Sequence, residues 1–310
     1  MAYPIAATPY GGAGTNPNPA YSGVFIPEIW SGKLIERFYA TTVLGAISNT
    51  DYEGEIRNQG DKIKIRTRPT LTIKDYSVNQ TLEIERPSSN IIELTIDKGK
   101  YFNTALDDVM EVQSDVNLMA LWSDDAAEQM KIKIDTEVLA AIYAGIIAAN
   151  KGATAGKVSA NINLGTVAIP VVLTKADVLD YIIRMGQVLD EQNVPETGRW
   201  IVIPPGMATL LKMSDLKNAY ITGDGVSPLR NGRIGMVDRF TIYVSNLLPL
   251  AAGKWTIYAG TSAGLTFASQ ISRVETLRSE MTFSNLLRGL QVYGYGILQG
   301  EALVGGVVSV

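Results

Sequence analysis

The sequence predicts an α+β fold with more than one compact unit, on three observations. Period-two alternation marks strands early in the chain, at 62–68 and 81–85. A single helical stripe runs on for many turns after Ser114. Helix and strand then alternate from about Val167 to Ala259, the pattern of a mixed layered unit. With 310 residues, 46% hydrophobic and 19% charged, the chain can bury roughly three-quarters of its unfolded surface.

The first segment, 1–23, has four Pro, four Gly, five Ala and no charge, and shows neither a helical nor a strand period. It reads as an irregular arm. Tyr3, Tyr10, Tyr21, Phe25 and Ile26 give it side chains that could dock on a neighbouring surface. A helical tendency follows over 29–46, with Leu34, Ile35, Phe38 and Tyr39 on one face.

Composition changes at Asp51. Residues 51–100 hold nine basic and nine acidic side chains, about twice the charge density of the whole chain, and the signs are sorted. Lys62-Ile-Lys-Ile-Arg-Thr-Arg68 alternates strictly, as does Thr81-Leu-Glu-Ile-Glu85, with 69–80 between them as a connection. The expectation is a long hairpin of one basic and one acidic strand. Facing Arg68 with Thr81 sets Arg66 against Glu83 and Lys64 against Glu85, each pair contributing from a few tenths up to ~1 kcal/mol. A two-stranded hairpin is marginal alone in water, so this one needs a surface to rest on. The basic strand could also track a phosphate backbone, but the acidic strand beside it cancels most of that field.

In the long helix the apolar positions Leu118, Trp122, Ala126, Met130, Ile134, Val138, Ile142 and Ile146 step by four, a slowly drifting stripe about 50 Å long. Beyond a small-residue loop at 152–156 come a helix opened by Thr174 and Asp177, a buried strand Trp200-Ile-Val-Ile203 and a short helix after Pro204-Pro205. Strands Phe240-Thr-Ile-Tyr-Val244 and Trp255-Thr-Ile-Tyr258 complete that unit. β character returns in 290–298.

The zeros restrict the chemistry. Without histidine or cysteine there is no imidazole base, no thiol nucleophile, no disulfide and no tetrahedral zinc site. Gly260-Thr-Ser-Ala-Gly264 matches a nucleophile elbow, but a Ser-His-acid triad is impossible here, and a turn is expected. Ser214-Asp-Leu-Lys217 matches S-x-x-K without its supporting motifs, so a helix cap and a solvated lysine are expected. Asp107, Asp108, Glu111 and Asp115 complement a helix dipole rather than hold a cation, and Gly152 to Lys157 lacks the P-loop spacing. No catalytic, cofactor or metal site is expected. Net charge −4 gives no electrostatic reason to wrap nucleic acid or adhere to a membrane. The start of the chain carries no secretion signal, and the longest apolar run, 138–149, is too short to span a bilayer.

An apolar arm, a charged hairpin, one very long helix and a compact α/β unit describe a subunit built to touch neighbours, and in that order they resemble the major capsid protein of tailed bacteriophages, the Hong Kong 97 type fold. Gly232-Arg-Ile-Gly-Met-Val-Asp-Arg-Phe-Thr-Ile-Tyr-Val-Ser-Asn246 with Leu-Leu-Pro249, and Arg288-Gly-Leu-Gln-Val-Tyr-Gly294, are similar to strand runs of that family. The resemblance implies an N-terminal arm at 1–50, an E-loop region at 51–100 and a peripheral (P) domain with its spine helix at 101–166. An axial (A) domain at 167–259 and a return to the P domain at 260–310 complete the layout.

It also implies pentamers and hexamers of one chain, closing an icosahedral shell around double-stranded DNA without sequence-specific contacts. A separate scaffolding protein, a portal and an optional decoration protein are the further partners, and no membrane is involved. Assembly in the host bacterial cytoplasm and residence in the virion follow. Lys62, Lys64, Arg66, Arg68, Lys74, Glu83 and Glu85 are the residues expected at contacts between subunits, and Lys74, near the hairpin tip, is the sole candidate for a covalent crosslink. The rival expectations are an encapsulin-like compartment shell and, in a different class, a serine acyl hydrolase on Ser214 and Lys217.

Overall fold

A computed structural model of the chain describes residues 39–51, 62–66, 69, 71–87, 91–113, 117–214 and 235–310. The arm through residue 38, Arg68, Asp115, Lys217 and Asn231-Gly232 lie outside the described residues.

Two sheets and one long helix organise the described chain. The larger sheet has seven strands: β4 (Val171–Val172), β12 (Leu303–Ser309), β9 (Lys254–Thr261), β5 (Arg199–Ile203), β7 (Phe240–Val244) and β6 (Met236–Val237) lie in that order, and β8 (Leu250–Ala251) pairs with β9. Its middle strand Arg-Trp-Ile-Val-Ile is buried throughout, which is why it reads as a continuous apolar run rather than an alternation. Helix α4 (Asp177–Glu191) covers this sheet with Val178, Tyr181, Ile182, Met185, Val188 and Leu189, a helical stripe that is wholly buried. Its start is held by Thr174, whose hydroxyl bonds the Asp177 carboxylate at 2.5 Å and whose carbonyl accepts from the Asp177 and Val178 amides. Helix α5 (Pro205–Met213) begins with proline in the first turn, where a missing N–H costs nothing.

The smaller sheet orders β10 (Leu265–Arg278), β11 (Ser284–Ile297) and β3 (Lys98–Asp107), all antiparallel. One register irregularity interrupts β10, between Ser269 and Ile271. The long helix, α3 (Leu118–Gly145), packs on this sheet: the Glu137 carboxylate receives Lys100 at 2.6 Å from β3 and the Tyr293 hydroxyl at 3.0 Å from β11. The stripe predicted for α3 is buried at Ile134, Val138 and Ile142 and only half covered from Leu118 to Met130. A separate short helix, α2 (Asp108–Gln113), precedes it and carries Asp108 and Glu111 in its first turn.

Residues 39–51 lie across these elements. Of the helical tendency expected over 29–46, only 39–46 is described, and there it is realised as α1 (Leu44–Ile47), whose Leu44 and Ile47 are buried against α3 and its surroundings. The Ser245 hydroxyl donates to the Thr41 carbonyl at 3.1 Å, and Asn49 bridges to β10 through backbone bonds with Leu265 and Phe267. The last segment of the chain divides between the sheets: β11 belongs to the smaller one, while β12 returns to the centre of the larger. Its Val-Gly-Gly-Val allows this, because Gly305 faces Tyr143 and Ile146 at the end of α3 while Gly306 faces Tyr181 of α4. No helix among the described residues is long and apolar enough to cross a membrane.

Candidate assembly interface

The sorted charges of 62–95 fold into one hairpin, but not in the register that alternation suggested. β1 (Lys62–Arg66) pairs antiparallel with β2 (Ile91–Thr95), so Lys62 faces Thr95, Lys64 faces Glu93 and Arg66 faces Ile91. The expected pairs Arg66–Glu83 and Lys64–Glu85 are not formed. Glu93 instead takes Lys64 at 3.7 Å and Lys62 at 3.9 Å. Glu83 pairs with Lys74, and Glu85 accepts from the Thr72 amide at 3.2 Å and the Thr72 hydroxyl at 3.3 Å.

Apart from the diagonal Lys62–Glu93 contact, these partners are equidistant from a two-residue turn at Val78-Asn79, closed by Gln80 N–H donating to the Ser77 carbonyl at 3.1 Å. Asn79 adopts a left-handed φ of 69°, a conformation asparagine tolerates better than most residues. The connection assumed at 69–80 is thus mostly arm, and only its end is turn. The misreading has a physical reason: sliding one strand by an even number of residues, as from Glu83 to Ile91, leaves every side chain on its original face. Of the expected contact residues, Lys62, Lys64, Lys74, Glu83 and Glu85 take hairpin partners, Arg66 lies opposite an isoleucine, and Arg68 is not described. These ion pairs are exposed and each contributes ~0.2–1 kcal/mol, enough to select a register and too little to hold the hairpin on anything.

Alternation missed what the positions between the charges do. At the base, Ile63, Ile65 and Leu94 pack with Ile96, Ala268 and Val292 in a small cluster against β10 and β11. Gly294 makes the seat possible, since a β-carbon there would lie 2.3 Å from the Thr95 carbonyl oxygen. Further out the same alternation continues in Leu71 and Ile73 on one arm and Leu82 and Ile84 on the other. Ile73 and Ile84 are each 91% exposed. A buried apolar row therefore runs off the body of its own subunit and stays uncovered.

A second uncovered apolar surface lies at the far end of the smaller sheet. Val109, Met110 and Val112 of α2 and Met281 and Phe283 of the β10–β11 turn are all exposed. Polar contacts fix the backbone beneath them. Arg278 Nη1 donates to Asp108 Oδ1 at 2.6 Å, the Asp108 amide donates to the Phe283 carbonyl at 3.1 Å, and Asn285 donates to Glu111 at 3.1 Å. That bidentate guanidinium holds the Asp108 carboxyl below the usual carboxylate range. Of the acids expected at the start of the long helix, Asp108 and Glu111 instead open the separate α2 and tie two elements together, Asp107 ends β3, and Asp115 is not described.

The serine motifs occupy structural places. Ser262 sits on an exposed turn between two strands, β9 and β10, where the Gly264 amide donates to the Thr261 carbonyl at 3.1 Å; a nucleophile elbow needs a helix after its strand. Ser214 is buried at the C-terminus of α5, its hydroxyl donating to the Leu211 carbonyl at 2.5 Å. No group of three or more acidic side chains positioned to hold a metal ion occurs among the described residues.

Uncovered apolar surfaces on a projecting amphipathic hairpin and on α2 describe a subunit built to touch others. Comparison with known proteins agrees. The family described as phage capsid protein matches residues 92–304, and the chain belongs to that family. No curated protein matches. Among solved structures, the chain is similar to that of Mycobacterium phage Che8 at 27% identity and a TM-score of 0.76, covering 93% of this chain and 98% of that one. The capsid of cyanophage P-SCSP1u matches at 14% identity and TM-score 0.70, over 92% and 93% of the two chains. The mature capsid of bacteriophage PhiM1 matches at 19% and 0.65, over 91% of each. The fold is the Hong Kong 97 type, and the protein is a structural major capsid protein of the phage virion.

Proposed function

We propose that this subunit forms pentamers and hexamers around packaged double-stranded DNA, and that the hairpin is the E-loop of the shell, lying on a neighbouring subunit. The observation that carries this is the apolar row that leaves the buried cluster at Leu94 and Ile96 and continues uncovered through Ile73 and Ile84. Burying an isoleucine side chain yields roughly 1.5–3 kcal/mol, far more than any exposed ion pair of the hairpin. The charges therefore only reinforce the register that the turn sets, while the aliphatic side chains supply the affinity.

In this reading the smaller sheet with α3 as spine helix is the peripheral domain, covering 101–166 and 260–297. The segment 167–259 with β12 is the axial domain, and 1–50 is the arm. Assembly takes place in the host bacterial cytoplasm with a separate scaffolding protein, a portal and an optional decoration protein. No catalytic step is assigned to the chain, in keeping with the places of Ser214 and Ser262.

The test is the pair Ile73→Lys and Ile84→Lys in the full chain. Subunit circular dichroism and melting temperature stay unchanged, because both positions are exposed in the subunit, while shell yield in electron micrographs collapses. Normal shells from the double variant would overturn the assignment. Shells filled with a protein cargo and no DNA would favour the encapsulin-like reading instead.

A further inference from the structure

Asp135 is a carboxylate in the wrong place for a structural ornament. It lies on α3 among Ile134, Val138 and Leu139, is 1% exposed, and is covered by the segment 39–51. Its Oδ2 accepts the Val43 amide at 2.7 Å, at the first turn of α1, with the Leu44 amide also directed at the carboxylate. Its other oxygen, Oδ1, has no side-chain, hydroxyl or cationic partner among the described residues.

No charge among the described residues faces it. On its own helix, Lys131 is paired with Glu128 at 2.6 Å and Lys133 is exposed. Glu137 is occupied by Lys100 of β3 and Tyr293 of β11. The titratable side chains of the covering segment are Tyr39, which donates to Asp125 at 2.7 Å, and Asp51, exposed at its far end. Among the described residues, two peptide dipoles are thus all that offset the loss of water around a buried carboxylate.

We propose that residues 39–51 form a proton-tightened strap, in which Asp135 takes up a proton from solvent as the strap seats on the spine helix and returns it when the strap lifts. Neither state needs another reactant. Lifting the strap hydrates Asp135 and restores its ordinary acidity. Seating buries it, and that burial raises the carboxyl above its usual range, against the smaller opposing pull of the Val43 and Leu44 amides. The sign follows: the seated state binds the proton more tightly, so it is favoured as pH falls and weakened as pH rises through the raised value. The strap also touches Ser245 of the larger sheet's surroundings and Leu265 and Phe267 of the smaller sheet, so its seating ties three parts of the fold together. This goes beyond the capsid reading and does not depend on it.

Hydrogen exchange of the amides of 43–48 in the full chain, as free subunits and as shells, tests the proposal at pH 5 and pH 8, with intrinsic rates corrected. The wild type shows a strap that is more protected at pH 5 than at pH 8, by about tenfold for each unit by which the seated carboxyl's pKa exceeds 5. In Asp135→Asn, an isosteric neutral residue whose amide oxygen still accepts from Val43, protection is the same at both pH values. Amides of 201–203 in β5 serve as the pH-independent reference. If the asparagine variant does not fold, Asp135→Ser carries the same expectation. Equal wild-type protection at the two pH values, or a neutral variant that keeps the wild-type dependence, would overturn the proposal.

Discussion

A β-carbon on Gly306 would lie 2.0 Å from the hydroxyl oxygen of Tyr181, which is buried and donates to the Leu164 carbonyl at 2.8 Å. The glycine is what allows α4 to approach β12 closely enough for that bond. Gly306→Ala therefore displaces the ring or the strand, and urea unfolding of the subunit should show a loss of about 2–4 kcal/mol. Tyr181→Phe alone leaves the Leu164 carbonyl short of a donor. The double variant costs less than the sum of the two, because removing the oxygen makes room for the methyl group.

The hairpin register can be read directly, since the chain has no cysteine of its own. Cysteines placed at Thr72 and Glu85, or at Lys64 and Glu93, face each other and should close a disulfide under mild oxidation, detected as an intact-mass loss of two hydrogens. The pair Arg66→Cys with Glu83→Cys should not close within one subunit. A disulfide there would show that the arms slide.

Asn150 joins three segments through one side chain. Its Nδ2 donates to the Glu301 and Leu303 carbonyls, both at 2.9 Å, and its Oδ1 accepts from Gln192 at 2.9 Å. In Asn150→Asp a carboxylate would face two carbonyl oxygens in a buried site. Thermal melting at pH 7 should reveal a loss of about 3 kcal/mol or more, partly recovered in acid when the protonated acid can donate once.

Glu137 gives a pH dependence opposite in sign to that of Asp135. Burial raises its carboxyl, but the Lys100 ammonium and the Tyr293 hydroxyl outweigh burial and hold it below the ordinary value. Its contribution is present above the unfolded pKa and is lost as pH falls through the lowered one. The melting-temperature gap between wild type and Glu137→Gln should be widest near pH 7 and close below about pH 3. A gap that persists in acid would point to packing rather than charge.

How much of this was legible in the sequence depends on what each signal measures. Composition shift and alternation located the hairpin, and a wholly apolar run located β5, because burial on one face or two leaves a direct trace. Which strand residue faces which is another matter. Register is decided by the turn, and the clue at Ser77-Val78-Asn79-Gln80 was an asparagine outweighed by the more conspicuous charges on either side. Ile84 stood within the alternation of 81–85, but Ile73 fell in the stretch read as a connection, and only the structure shows that the apolar row covered at Leu94 is uncovered at both. Asp135 lies beside the apolar stripe and drew no reading from sequence; its meaning needs α1, a four-residue helix too short to have a period.

The arrangement of the smaller sheet also orders events in time. β3 pairs with β11, Leu106 opposite Asn285, while β4 through β9 are encoded between them, and the Arg278–Asp108 contact spans 170 positions. Contacts that distant form slowly, since the intervening chain must first collapse. The seat of the hairpin rests on that sheet, and so does the α2 surface beyond its far end. A nascent or half-folded chain therefore lacks the platform from which it could capture another copy, and polymerising competence arises only in molecules that have finished folding.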